Sequence, residues 1–148
     1  MQARLDAIYV KRMKRGPMDP VKEAELIAGQ GISGNANQGG LRQVTIVEKE
    51  LWDKMMDHLK SDLPPSTRRA NLLVAGITLA ETRGKTLRIG ECRIRINGET
   101  RPCERMDEAL PGLKDEMDPE WRGGAFGEVL DSGKVVVGDE VKWEEEEL

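Results

Sequence analysis

Cys103 stands in Arg101-Pro102-Cys103-Glu104-Arg105, where a proline breaks the preceding strand pattern and a short helical pattern begins just after the thiol. A cysteine at a helix start among guanidinium groups has its thiolate favoured by the helix dipole and by positive charge, and a thiolate is both nucleophile and metal ligand. The local residues leave two readings open, a working thiol and a packed structural cysteine. The other cysteine, Cys92, alternates with charged residues on the apolar face of a strand pattern and reads as inert core. The two are eleven positions apart, outside CxxC spacing, and His58 is the single histidine. A zinc site would have to recruit carboxylates, and no triad partner for Cys103 can be named.

A second group with chemical potential is Thr67-Arg68-Arg69-Ala70-Asn71-Leu72. Adjacent guanidiniums and an amide before a hydrophobic strand suit an anion clamp, because guanidinium forks around phosphate or carboxylate. The competing reading is a pair of solvated arginines. Gly29, Gly31 and Gly34 spell GxGxxG, yet the residues that follow cannot propagate a helix, so the stretch 29–40 reads as a loop rather than a dinucleotide turn. Its backbone amides could still line a ligand site. Lys11, Arg12, Lys14 and Arg15 are expected to be a solvated strand end, because no amphipathic helix surrounds them.

These groups need a scaffold, and 148 residues with an aliphatic core and few aromatics fit one domain that needs no staple. Scarce aromatics argue against base stacking on nucleic acid. Net charge is −4, with an acidic run at Glu144 to Glu147 that reads as a solvated tail. Low cysteine content and the lack of a membrane-length apolar run point to a reducing cytoplasm. Alternation predicts strands at 4–11, 21–27, 42–47, 87–96, 125–130, 134–137 and 140–143, with buried extended chain at 72–79. The spacing of Leu51, Met55 and Leu59 predicts a helix over 48–59, stopped by Pro64-Pro65, and a second short helix covers 104–110. Many short strands and few helices predict a mainly β fold, a small closed or partly open barrel. The long strand and a Gly98 turn would deliver Cys103.

Taken in order, Gly31-Ile32-Ser33-Gly34-Asn35, Arg42-Gln43-Val44-Thr45, Arg68-Arg69-Ala70-Asn71-Leu72, Gly76-Ile77, Ile89-Gly90, Pro102-Cys103, Arg122-Gly123-Gly124-Ala125 and Gly138-Asp139-Glu140-Val141 resemble the MOSC domain. That family is named for the C-terminal region of molybdenum cofactor sulfurases. The resemblance implies a β-barrel with a few short helices, occupying 1–143 ahead of an acidic tail at 144–148. It also implies that Cys103 either carries sulfur as a persulfide or ligates molybdenum in a bound pyranopterin cofactor. Arg68 and Arg69 fall where members have basic residues near the cofactor pocket, Arg42 adds to the same anion site, and Asn71 and Asn35 complete the expected contacts. One departure concerns the early loop, where members commonly read Gly-Asp with a nearby histidine and this chain has Gly34-Asn35 and Asn37. Hydrogen bonding is kept there and titratable charge is lost. The expected function is a stand-alone sulfur carrier or transferase that delivers sulfur to a centre such as molybdenum cofactor. The alternatives are a molybdenum cofactor-binding reductase or carrier and a non-catalytic binding module. No pyridoxal-phosphate region is visible, so the partner would be an external sulfur donor such as a cysteine desulfurase, or a separate electron donor.

Overall fold

The computed structural model of the chain describes residues 2–144. Eleven strands and three α-helices follow one another as β1 (Arg4–Lys11), β2 (Met18–Val21), β3 (Glu23–Ile27), β4 (Gly31–Ile32), β5 (Val44–Glu48), α1 (Lys49–Leu59), β6 (Leu72–Ala75), β7 (Thr86–Ile89), β8 (Cys92–Glu99), α2 (Glu104–Ala109), α3 (Leu113–Met117), β9 (Ala125–Val129), β10 (Gly133–Val136) and β11 (Val141–Trp143). Eight strands form one curled sheet in the order β11-β7-β8-β9-β5-β6-β1-β2, and β10-β3-β4 form a second. The curl nearly closes. Arg4 bridges Glu140, the Leu5 amide donates to the Asp139 carbonyl at 2.9 Å, and the Val141 amide donates to Ala3 at 3.0 Å, so the β11 end is stitched to β1. The result is a mainly β, partly open barrel. Such closure removes exposed strand edges that would otherwise pair with other chains.

One large aliphatic core fills the barrel, with Leu5, Ile46, Leu72, Leu87, Ile94 and Ile96 buried from the main sheet and Leu26, Ile32 and Val135 from the second. A separate core lies under the helices, where Trp52, Met55 and Met56 of α1 meet Met106, Leu113 and Met117. Methionine suits this small layer because its unbranched thioether fills irregular gaps. Among the described residues β5 and β6 form the one parallel pair, and α1 makes the crossover between them. Beyond α1 the chain enters a 3-10 turn at Pro65–Arg68, since Pro65 cannot sit inside a helix that continues from upstream.

Several sequence expectations are corrected. The stretch 87–96 is a hairpin, not one strand: Gly90 adopts φ +56° and turns β7 back onto β8, pairing Ile89 with Cys92. Alternation could not reveal this, because the two-residue turn keeps apolar residues on the core side in both arms. Gly98 is likewise not a turn; it lies inside β8 at a register shift, where a Cβ would press on the Phe126 ring. The 21–27 strand breaks at Lys22 into β2 and β3, and residues 76–79 follow β6 without strand pairing. Helix α3 and the two-residue β4 were not foreseen. Glu144 still pairs its amide with Thr86, and the remainder of the expected acidic tail lies outside the described residues.

Candidate functional site

Past its last residue, Glu99, β8 runs through Thr100 and Pro102 to Cys103, whose extended backbone (φ −127°, ψ 177°) places it at the N-cap of α2. The Cys103 carbonyl accepts the Met106 amide at 2.9 Å, and the thiol is exposed. Opposite it, the 3-10 turn delivers Arg68, and Arg69 takes up the left-handed conformation (φ 65°) that ends the turn. Between them opens a cavity of about 170 Å³. Its wall contains Cys103, Arg68, Arg69, Asn71, Arg42 and Asn35, so the structure brings all six candidate residues into one recess.

The cations define its character. Lys11, Arg42, Arg68, Arg69 and Arg105 line the recess, and among the described residues no Asp or Glu does. Arg68 is only 7% exposed, and its side chain is tied down by neutral groups: Nε donates to the Gly123 carbonyl at 2.9 Å, Nη2 to the Thr100 carbonyl at 3.2 Å, and Nη1 lies 3.8 Å from the Met106 sulfur. Burial and the nearby Arg42 charge lower its pKa to about 10, while Cys103 is the one group that opposes them. A buried cation without a carboxylate partner is costly, since desolvation is repaid only by opposite charge or strong hydrogen bonds. Here the missing opposite charge has a place to enter.

The other cations are held differently. Arg69 Nη2 donates to the Gly16 carbonyl at 2.6 Å, and the Arg42 guanidinium carbon sits 5.9 Å from the Phe126 ring centroid, a cation–π arrangement. Lys11 is half-buried, with its pKa lowered by burial and then by Arg69, Arg42, Lys14 and Arg105. This corrects the expectation that 11–15 is wholly solvated: Arg12, Lys14 and Arg15 are exposed, but Lys11 faces the recess. No local signal marks it: Lys11 is the last residue of β1, and its place on the recess comes from Asn35, Arg42 and Arg69 arriving from distant segments.

The two asparagines are building members of the wall. Asn71 Oδ1 accepts the Thr45 amide and hydroxyl, each at 3.2 Å, and its Nδ2 donates to the Tyr9 carbonyl at 3.1 Å and to Asn35 Oδ1 at 3.2 Å. Asn35 Oδ1 also accepts the Lys11 amide at 2.9 Å. The pair therefore pins the glycine-rich loop to β1, β5 and the start of β6. No helix follows Gly34, as expected, and the loop reaches the recess through Asn35 and Asn37, while the amides of Gly29 and Gly39 are spent on Val129 and Gln30.

Sequence reasoning missed the support beneath Arg68. A Cβ on Gly123 would collide with the Thr100 carbonyl, and one on Gly124, at φ +101°, would collide with the Ile46 carbonyl. Both positions must be glycine for the chain to pass this close, and that passage presents the Gly123 carbonyl to Arg68. Thr100 was missed as well; it is 3% exposed, lines the recess, and its hydroxyl has no hydrogen-bond partner among the described residues. Cys92 is 1% exposed in the barrel core, in keeping with an inert thiol. His58 lies on α1, exposed, 3.3 Å from Glu116 and away from the recess.

The family model of the MOSC domain matches residues 33–142. The chain belongs to that family. Solved structures share the MOSC-type fold at low identity. The YuaD protein from Bacillus subtilis aligns with a TM-score of 0.78 at 20% identity over 95% of this chain and 94% of that one. YiiM from Geobacillus stearothermophilus gives 0.75 at 16% identity, covering 97% of this chain and 75% of that one. YiiM from Escherichia coli gives 0.75 at 19% identity over 99% and 71%. No curated protein sequence matches. Among the described residues of this MOSC domain no group of three or more His, Cys, Asp or Glu side chains could hold a metal ion, and no helix is long and apolar enough to cross a membrane.

Proposed function

We propose that this MOSC domain carries sulfur on Cys103 as a persulfide and hands the outer sulfur to an anionic acceptor seated against Arg68, Arg69, Arg42 and Lys11. The observation that carries the proposal is Arg68, a buried guanidinium with neutral partners only among the described residues, on the same recess as an exposed thiol. A donor persulfide, such as that of a cysteine desulfurase, would be attacked by the Cys103 sulfur; the donor leaves as its thiol and Cys103 keeps the extra sulfur. Transfer onward releases the Cys103 thiol for another cycle.

The cationic residues fit the phosphate end of a pyranopterin, the acceptor that the family resemblance suggests. Arg68 and Arg69 would hold the phosphate, Arg42 would add charge at the mouth, and Asn35 and Asn71 would keep the wall rigid. Such a cofactor would supply a metal centre able to take sulfur. Arg68 cannot swing away to follow a ligand, because three of its nitrogens are already engaged, so it acts as a fixed positive floor. The test is intact mass after incubation with a cysteine desulfurase and cysteine. One added sulfur on the wild type and none on Cys103→Ala is expected; an equal adduct on Cys103→Ala rejects the role.

A further inference from the structure

The recess floor says something about the sulfur source as well as the acceptor. A protein-borne persulfide presents its sulfur on a neighbouring chain and would meet the exposed rim, where Cys103 and Arg105 stand. It leaves the floor idle at the loading step, where a guanidinium only 7% exposed has neutral partners alone among the described residues. Arg68, with Lys11 and Arg42 on the same wall, suits a small, multiply charged oxyanion that can reach the floor. Cavity size agrees, since about 170 Å³ admits a tetrahedral dianion and a few waters.

Resting on the sulfur-carrier reading, we propose that Cys103 is loaded directly by thiosulfate. The sulfonate oxygens would sit on Arg68, with the outer sulfur directed at Cys103. In the reaction the Cys103 thiolate attacks the outer sulfur of thiosulfate and a new S–S bond forms. The S–S bond of thiosulfate breaks, its electron pair leaves on sulfite, and the products are the Cys103 persulfide anion and sulfite. Charge and atoms are the same on both sides, and no oxidant or reductant is needed. The cations stabilise the approach of two anions that would otherwise repel, which is the main obstacle to this reaction in water.

The experiment uses the intact protein with sodium thiosulfate, measuring sulfite release and intact mass, beside a parallel arm loaded with a cysteine desulfurase and cysteine. One sulfite and one added sulfur per chain, both lost in Cys103→Ala and suppressed by sulfate in competition, are expected. If the desulfurase loads Cys103 and thiosulfate does not, the thiosulfate proposal is overturned and the carrier reading stands. If neither loads it, both fall. Sulfite release that persists in Cys103→Ala also overturns the proposal.

Discussion

Cys92 begins β8 and Cys103 lies just beyond its other end, yet the two sulfurs occupy opposite surroundings. At the first end the thiol is packed in aliphatic core, and burial followed by Asp131, Glu91, Asp139 and Glu25 raises its pKa. At the second the thiol is exposed on a recess lined, among the described residues, by five cations and no carboxylate. A thiolate is disfavoured at one end by both desolvation and like charge, whereas the other offers access and a field that draws anions. One strand thus separates a sealed cysteine from an accessible one, and the separation comes from what packs around each end rather than from the strand itself.

The largest expected effect is on reactivity. Native protein exposed to a neutral thiol reagent should label Cys103 at least about a thousandfold faster than Cys92, because Cys92 must await an opening that costs several kcal/mol. Mass mapping of the two peptides checks this, and comparable rates would erase the contrast. Next comes the buried charge that the recess does not use. Glu48, 8% exposed at the start of α1, accepts the Leu79 amide at 3.3 Å, and burial raises its pKa from 4.5 to about 7. Between these values the folded state keeps a proton that the unfolded chain has lost, so stability falls as pH rises through this window and levels off above about 7. Glu48→Gln, which preserves an acceptor for Leu79, should remove that slope and gain up to about 3 kcal/mol at pH 8. Urea unfolding at pH 5 and pH 8 measures both.

Serine substitutions sharpen the contrast on a smaller scale. Cys92→Ser buries a hydroxyl in the core and should cost about 1–3 kcal/mol. Cys103→Ser should move stability by less than about 0.5 kcal/mol, as an exposed site does. Denaturant midpoints for the two variants decide it. The smallest effect concerns the field itself: relative to a free cysteine peptide, Cys103 should favour iodoacetate over iodoacetamide about threefold to tenfold, and added salt should shrink the preference.

Much of this contrast was legible before any coordinates. Period-two alternation around Cys92, Ile94 and Ile96 marked the inward face of β8, and Pro102 followed by a helical pattern marked Cys103 as a junction residue. The pairing of Arg68 with Arg69 suggested an anion clamp. The burial of Arg68 was not legible, because it depends on the Gly123 carbonyl and Thr100 carbonyl arriving from distant segments. Lys11 and Thr100 were hidden for the same reason: each acquires its role from neighbours far away in sequence. The β7–β8 turn escaped notice because its two-residue connection, Gly90-Glu91, leaves the apolar alternation undisturbed on both sides.

The central claim is that sulfur is carried at the recess end of β8. Loading the wild-type protein with a cysteine desulfurase and cysteine, trapping persulfides with an alkylating reagent and mapping the peptides tests it most directly. The account predicts a trapped persulfide on the peptide containing Cys103 and an unmodified Cys92. A persulfide found on Cys92, or none on Cys103 while the desulfurase is itself loaded, would contradict it.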